Sequence, residues 1–338
     1  AAWRSDVDVL IRAVELALDQ NLFFKESQLG DADRLLDEAG RRIKAAVGGA
    51  RGLTLLGMEP GKNENPQPLV GGFVSRIDGS VQPFGIVVPA GFTVEQSDVP
   101  HRMDVWLHGR GDTKTEIPFL MERMTKAGQY TPKNTLVLHP FGRHCNAFKF
   151  AGETDVYESM DHIQSICTVD PKRISVRGFS MGGAGCWHLA VHDPTRWMAA
   201  NPGAGFVDTI EYQGWTESTP FQITPTAEKL LRWYDVLPWT NNLKATQTIA
   251  YSGEVDKQKK AADRVVAQAT QLGFDFPYVI GEAMGHKIND ESKRTIESQI
   301  DRWSEDVDSG PRREIEFTTF TLRYSRADWI RITGMEEH

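Results

Sequence analysis

A chain of 338 residues with 40% hydrophobic side chains is long enough to bury a full core, and one large domain with additions is the simplest expectation. The net charge is −8 and the basic clusters (Arg41-Arg42, Lys257 to Lys260, Arg312-Arg313) are short, which speaks against nucleic-acid binding, where phosphate attraction needs clustered cations. No apolar run reaches the roughly 18 residues of a membrane-spanning helix.

Residues from about 6 to 48 read as helix, with a dense apolar face from Val9 to Leu18 and a second stretch from Leu35 to Val47 ending in Gly48-Gly49. A linker rich in Pro, Gly and Asn follows at Glu59 to Pro66, so 1–66 is expected to be a helical extension. Leu69 to Arg76 and Phe84 to Val88 flank Asp78-Gly79-Ser80 and predict a hairpin. Short apolar runs at Asp104 to Leu107, Thr135 to Leu138, Arg173 to Val176, Thr246 to Tyr251 and Phe276 to Ile280 predict strands. Helical stretches at about 156–168, after Ser180 to His192, at 258–272 and at 289–304 lie between them. Such alternation predicts an α/β fold, a mostly parallel central sheet with helices on both faces and an antiparallel edge from the hairpin. The catalytic domain is expected over 67–308, with 206–240, rich in Trp215, Trp233, Trp239 and Phe221, as a candidate cap insert. The tail 309–338 reads as strands at Thr321 to Tyr324 and Trp329 to Ile332, the opening of a further β region.

The string Arg177-Gly178-Phe179-Ser180-Met181-Gly182-Gly183 contains Gly-x-Ser-x-Gly, weak alone. Here a strand precedes the serine and a helix follows it, the arrangement of a nucleophile elbow. Glycines on both sides let neighbouring backbone pass close to the turn, and the helix N-terminus points free N–H groups at developing negative charge. A serine hydroxyl needs a base, and in this order of elements the acid and then the histidine follow it. Of His188, His192, His286 and His338, the first two sit two and three turns along the elbow helix and the last ends the tail, which leaves His286. Asp256, in the loop after the strand 246–251, is the expected acid, with Glu254 two residues away as runner-up. The oxyanion of a tetrahedral intermediate is expected on the backbone N–H of Met181 and a second donor from His108-Gly109-Arg110-Gly111-Asp112, assigned to Arg110.

These residues resemble the prolyl-oligopeptidase and dienelactone-hydrolase branch of the α/β hydrolases over roughly 100–305, carried by Gly178 to Gly183, the Asp256 loop and Gly285-His286. Asp170-Pro171 before the elbow strand and His192-Asp193-Pro194 after the elbow helix are also similar to that branch. Prolyl oligopeptidases carry a large β-propeller where this sequence has about 100 mostly helical residues, so the resemblance implies an esterase ahead of a peptidase. Secreted polyester and feruloyl esterases are comparably similar. A non-catalytic binding protein on the same fold is the alternative from another class.

The loop Phe141 to Asp155 follows a strand at the ligand-binding end of an open α/β sheet, making Arg143, Asn146 and Glu153 candidate substrate contacts, with Trp215 from the 206–240 segment. The alternative for the loop is a structural role tied down by its own polar groups. His139, His144 and Cys145 lack metal-site spacing, and the expected chemistry needs no cofactor or metal. The expected partner is a small-molecule, carbohydrate or polyester ester. Three cysteines do not make a disulfide framework and leave oligomeric state and redox state open. Ala1-Ala2-Trp3-Arg4 reads as a processed or trimmed end, which favours a secreted or periplasmic location slightly over the cytoplasm.

Overall fold

The computed structural model describes residues 3–59, 64–92, 100–215, 218–220, 222–307, 310 and 312–336. It comprises two compact units, 1–106 with 110–170 and 107–109 with 171–338.

The first unit opens with α1 (Arg4–Asp19), α2 (Ser27–Val47) and the short α3 (Gly52–Leu56). The hairpin β1 (Gln67–Val74) and β2 (Val81–Val88) follows, then β3 (His101–Leu107), α4 (Glu116–Thr125), β4 (Thr135–Pro140) and α5 (Ala151–Ile166). Its strands run in the order β1-β2-β4-β3, antiparallel until β4 meets β3 in parallel. Helix α1 turns Val9, Leu10, Ala13, Val14 and Ala17 inward, the 3.6-residue stripe its sequence predicts. The sheet receives this stripe because Gly72 has no side chain: a Cβ there would lie 2.4 Å from the Ser5 carbonyl oxygen. Asp6 Oδ1 accepts the Gly72 N–H at 3.1 Å, and the buried Arg42 of α2 donates to the Asp6 carbonyl at 2.7 Å and the Val70 carbonyl at 3.0 Å. Burial raises the Asp6 carboxyl to about 6, against the Gly72 N–H and the Arg42 charge, which lower it.

The second unit carries most of β5 (Val169–Phe179), then α6 (Met181–His192), β6 (Ala199–Gly203), α7 (Thr209–Gln213) and α8 (Pro225–Leu231). A 3-10 helix over Leu237–Ala245 leads to β7 (Gln247–Thr248), β8 (Ala250–Gly253), α9 (Lys259–Gln271), β9 (Tyr278–Gly281) and α10 (Asp290–Glu305). The strand order is β5-β6-β8-β9, all parallel, with β7 also pairing β6. Among the described residues nine strands belong to the central sheet, which is mostly parallel and has helices around it. All twelve residues of α6 are buried, so its sequence lacks the polar face of a surface helix.

The expected strand 246–251 divides into β7 and β8 at Ile249, whose N–H still reaches the Ala200 carbonyl at 2.9 Å. In the tail, Leu322–Tyr324 forms a 3-10 turn where a strand was expected, and pairing is confined to β10 (Arg326–Ala327) and β11 (Ile330–Arg331). Tyr324 explains the difference: its ring packs 4.2 Å from His192 and 5.6 Å from Trp239, and burying it there turns the chain. Cys145, Cys167 and Cys186 are all free, and burial pushes the Cys167 thiol up to about 12.

Candidate active site

Strand β5 and helix α6 meet at Ser180, which adopts φ 59° and ψ −121°, a conformation that side chains other than glycine rarely take. Its strain is held by backbone on both sides. The Ser180 N–H donates to the Gly203 carbonyl at 2.8 Å, and the Ser180 carbonyl accepts the first helical N–H, from Ala184, at 3.0 Å. The flanking glycines are required by close approach: a Cβ on Gly178 would lie 2.3 Å from the Gly182 oxygen, and one on Gly182 would lie 1.9 Å from the Leu107 oxygen. The turn thus lifts the hydroxyl away from the strand while the start of α6 aims its unpaired N–H groups toward the same side. Met181, the first residue of α6, stands where the sequence reading puts one oxyanion donor.

His286 lies in the loop between β9 and α10, beside this hydroxyl. Its Nε2 is 2.8 Å from Ser180 Oγ, and its Nδ1 is 2.8 Å from Asp256 Oδ2. A carboxylate only accepts, so Nδ1 carries the proton and Nε2 accepts from the serine. Asp256 is buried and its other oxygen accepts the Gln258 N–H at 2.9 Å, which holds the carboxylate in place. Phe179 packs its ring 5.0 Å from the imidazole.

Between the two acids of the β8–α9 loop, the structure distinguishes clearly. Glu254 does not reach the imidazole: its Oε2 accepts the Ala283 N–H at 2.8 Å, three residues before His286. Ala283 is itself left-handed, with φ 51°. The Glu254 and Val255 N–H groups donate to the Gly281 and Met284 carbonyls, and the Tyr251 hydroxyl donates to the Lys287 carbonyl at 2.7 Å. The loop of the acid therefore grips the loop of the histidine at both ends. In the sequence Glu254 stands out only as a second acid, and nothing marks Tyr251 for a part. The closeness of Glu254 to Asp256 was the available signal.

The other histidines are engaged elsewhere. His188 and His192 are buried on α6, and the two ring nitrogens of His192 face the His188 and Trp233 carbonyls at 2.7 and 3.0 Å. His338 and Phe221 lie outside the described residues. In the loop after β3, Gly109 stands against the elbow, with a Cβ position 3.7 Å from Ser180 Cβ. The Arg110 side chain turns to Asp112 at 2.7 Å.

The candidate substrate contacts are placed as follows. Arg143, with φ 57°, donates to Asp155 at 3.0 Å, Asp78 at 2.7 Å and Ser75 at 2.8 Å. Asn146 bridges the Gly142 carbonyl and the Phe148 N–H within its own loop. Glu153 is buried in the first turn of α5. These ties fit the structural alternative for the 141–155 loop, in which its polar groups brace one another. Trp215 is half-buried just past α7, its N–H on the Ile210 carbonyl at 3.1 Å. Among the described residues no group of three His, Cys, Asp or Glu is placed to hold a metal ion.

Residues 149–307, which include Ser180, Asp256 and His286, match the sequence model of the prolyl oligopeptidase family. No curated protein matches the chain in sequence. Among solved structures, a Bacteroides ovatus protein assigned as a dipeptidyl aminopeptidase IV superposes with a TM-score of 0.54 at 13% identity, over 72% of this chain and 36% of its own. A Mycobacterium tuberculosis puromycin-hydrolyzing peptidase gives 0.53 at 16%, over 78% of this chain and 42% of its own. A Staphylococcus aureus S-formylglutathione hydrolase gives 0.51 at 15%, over 73% of this chain and 100% of its own. This chain thus spans little more than a third of the Bacteroides protein's length. The fold is that of the α/β hydrolases, and the segment bearing Ser180 is that of a prolyl-oligopeptidase-like serine hydrolase.

Proposed function

We propose that this prolyl-oligopeptidase-like serine hydrolase cleaves carboxylic esters through an acyl-enzyme on Ser180. The observation that carries the reading is the pair of 2.8 Å hydrogen bonds from Ser180 through His286 to Asp256. In the first half-reaction Ser180 Oγ attacks the ester carbonyl carbon while its proton passes to His286 Nε2. Asp256 holds the imidazolium by its Nδ1–H. The oxyanion takes hydrogen bonds from the Met181 N–H and from the Gly109–Arg110 loop, Arg110 being the assigned donor. Collapse breaks the C–O bond, and the alcohol leaves with the proton from Nε2. Water then repeats the sequence and frees the acid and Ser180. His286 is 44% exposed at its side chain, which leaves the serine open to an ester from solution.

Ester specificity draws support from the neighbours whose own chains are matched almost entirely, the S-formylglutathione hydrolase and a ferulic acid esterase matched over 99% of its chain. The family match favours a second reading, a serine peptidase. Short p-nitrophenyl esters, feruloyl esters and dipeptidyl chromogenic substrates assayed side by side separate the two. The ester reading expects turnover of the esters with Ser180→Ala inactive and unlabelled by a fluorophosphonate probe. Ester hydrolysis that survives Ser180→Ala would sink it, and a kcat/KM higher on the peptides would replace it with the peptidase.

A further inference from the structure

The loop that carries His286 runs from Gly281, the last residue of β9, to Asn289, which caps α10 by accepting the Ser292 N–H at 2.8 Å. Its first half is held by the loop of the acid, where the Glu254 and Val255 N–H groups meet the Gly281 and Met284 carbonyls at 2.9 and 3.0 Å. His286 itself is the middle residue of a three-residue turn, closed by the Lys287 N–H on the Gly285 carbonyl at 2.8 Å. Such a turn orients the imidazole only as well as Lys287 is fixed. The Lys287 side chain is exposed, so the anchor has to act on its backbone.

That anchor is Tyr251, 1% exposed on β8. Its hydroxyl donates to the Lys287 carbonyl at 2.7 Å, and the Asn289 N–H and the Ser292 hydroxyl bond to the same oxygen. At the entry to the loop, a Cβ on Gly281 would lie 2.4 Å from this oxygen. One hydroxyl thus stands against backbone where the loop begins and where it ends. Burial holds the phenol above its ordinary value, so the hydroxyl keeps the proton it donates. The Tyr251 ring lies 6.3 Å from that of Phe179, which in turn lies 5.0 Å from the imidazole. The rest of its cluster is apolar, with Ala199, Ile249, Ile296 and Ile300, and a phenylalanine would fill that space equally well. What the hydroxyl adds is its hold on the loop.

We propose that Tyr251 is a positioning residue for His286, its hydroxyl being the fixed point that keeps Nε2 on the Ser180 hydroxyl. It acts through His286. The inference rests on the reading of Ser180 as nucleophile with His286 as its base.

The rate at which a fluorophosphonate probe labels Ser180 tests it. That rate reports the activated hydroxyl whether the substrate is an ester or a peptide. Labelling of the wild type at Ser180 tests the reading underneath, and the ratio of variant to wild type tests this one. Tyr251→Phe keeps the ring and should label about 10- to 100-fold more slowly, since a small misplacement of the base is enough. In a His286→Ala background the same substitution should change the rate less than about twofold, whereas a general loosening of the fold would slow both backgrounds alike. Gly281→Ala drives a methyl group into the hydroxyl and should slow labelling about tenfold. Adding Tyr251→Phe to it should cost less than about threefold more, because the two changes strike one contact. Circular dichroism checks that each variant is folded. Folded Tyr251→Phe that labels at the wild-type rate, or that loses as much without His286, overturns the proposal. Gly281→Ala that labels at the wild-type rate overturns it independently.

Discussion

His286 is steered by two carboxylates from one loop, and each acts on a different part of it. Asp256 holds the ring through Nδ1, and Glu254 holds the backbone at Ala283. Substitutions at the two should separate. Asp256→Asn keeps the shape but removes the carboxylate that supports the imidazolium and favours its tautomer, and kcat on an ester should fall on the order of 10³–10⁴-fold. Glu254→Ala frees one backbone N–H and lets the loop move, and kcat should fall about tenfold with KM unchanged. Glu254→Gln retains an acceptor oxygen and should recover most of that loss. A merely structural Glu254 would instead lower the melting temperature and leave the kcat of folded enzyme untouched. Sequence position alone brought both acids into view, but which oxygen faces which nitrogen depends on side-chain directions that no spacing encodes.

At the scale of elements, the β5–α6 turn is the part whose sequence and geometry agree most fully. Gly178 and Gly182 are where backbone passes too close for any side chain. Gly182→Ala should push the turn against the Leu107 carbonyl, abolish fluorophosphonate labelling of Ser180 and cost about 1–3 kcal/mol of stability. A labelling rate equal to wild type would refute the close-approach account. Strand β6 and helix α4 are among the elements that the sequence does not signal. Strand β6, Ala-Ala-Asn-Pro-Gly, shows neither alternation nor β-branched residues, and it is a strand because β5, β7 and β8 offer it partners. Helix α4 has Pro118 inside its sequence, which reads as a breaker. Here the proline stands in the first turn, where its missing N–H costs nothing.

At the scale of the molecule, stability depends on a carboxylate buried in the first unit. Asp6 has a folded-state value of about 6 against an ordinary 3.8. A group held higher in the folded chain than in the unfolded one stabilises when protonated. Its contribution is full below about pH 4 and lost as pH rises through about 6. The gap corresponds to roughly 3 kcal/mol at most. Asp6→Asn keeps an oxygen for the Gly72 N–H and removes the titration. Its stability relative to wild type should therefore rise by up to about 3 kcal/mol between pH 4 and pH 7.5, read by urea unfolding at both. A difference that stays constant with pH would show that Asp6 does not titrate in that window.

The sequence by itself determined the α/β alternation, the elbow at Ser180 and the short list from which His286 emerged. Those features are local: strand and helix periods, a glycine-bounded turn, and the order of loops along the chain. It also named Arg143 and Asn146 as polar residues of a loop at the correct end of the sheet. Only the tertiary structure decided that their hydrogen bonds go to Asp78, Asp155, Gly142 and Phe148 within the fold. The same holds for the division of labour between Asp256 and Glu254. Both outcomes turn on which donor meets which acceptor across 2 to 65 residues of chain, a matter of packed geometry. The chemistry proposed for Ser180 is written in a motif of five residues. The hydrogen bonds that would make it work are written in the fold.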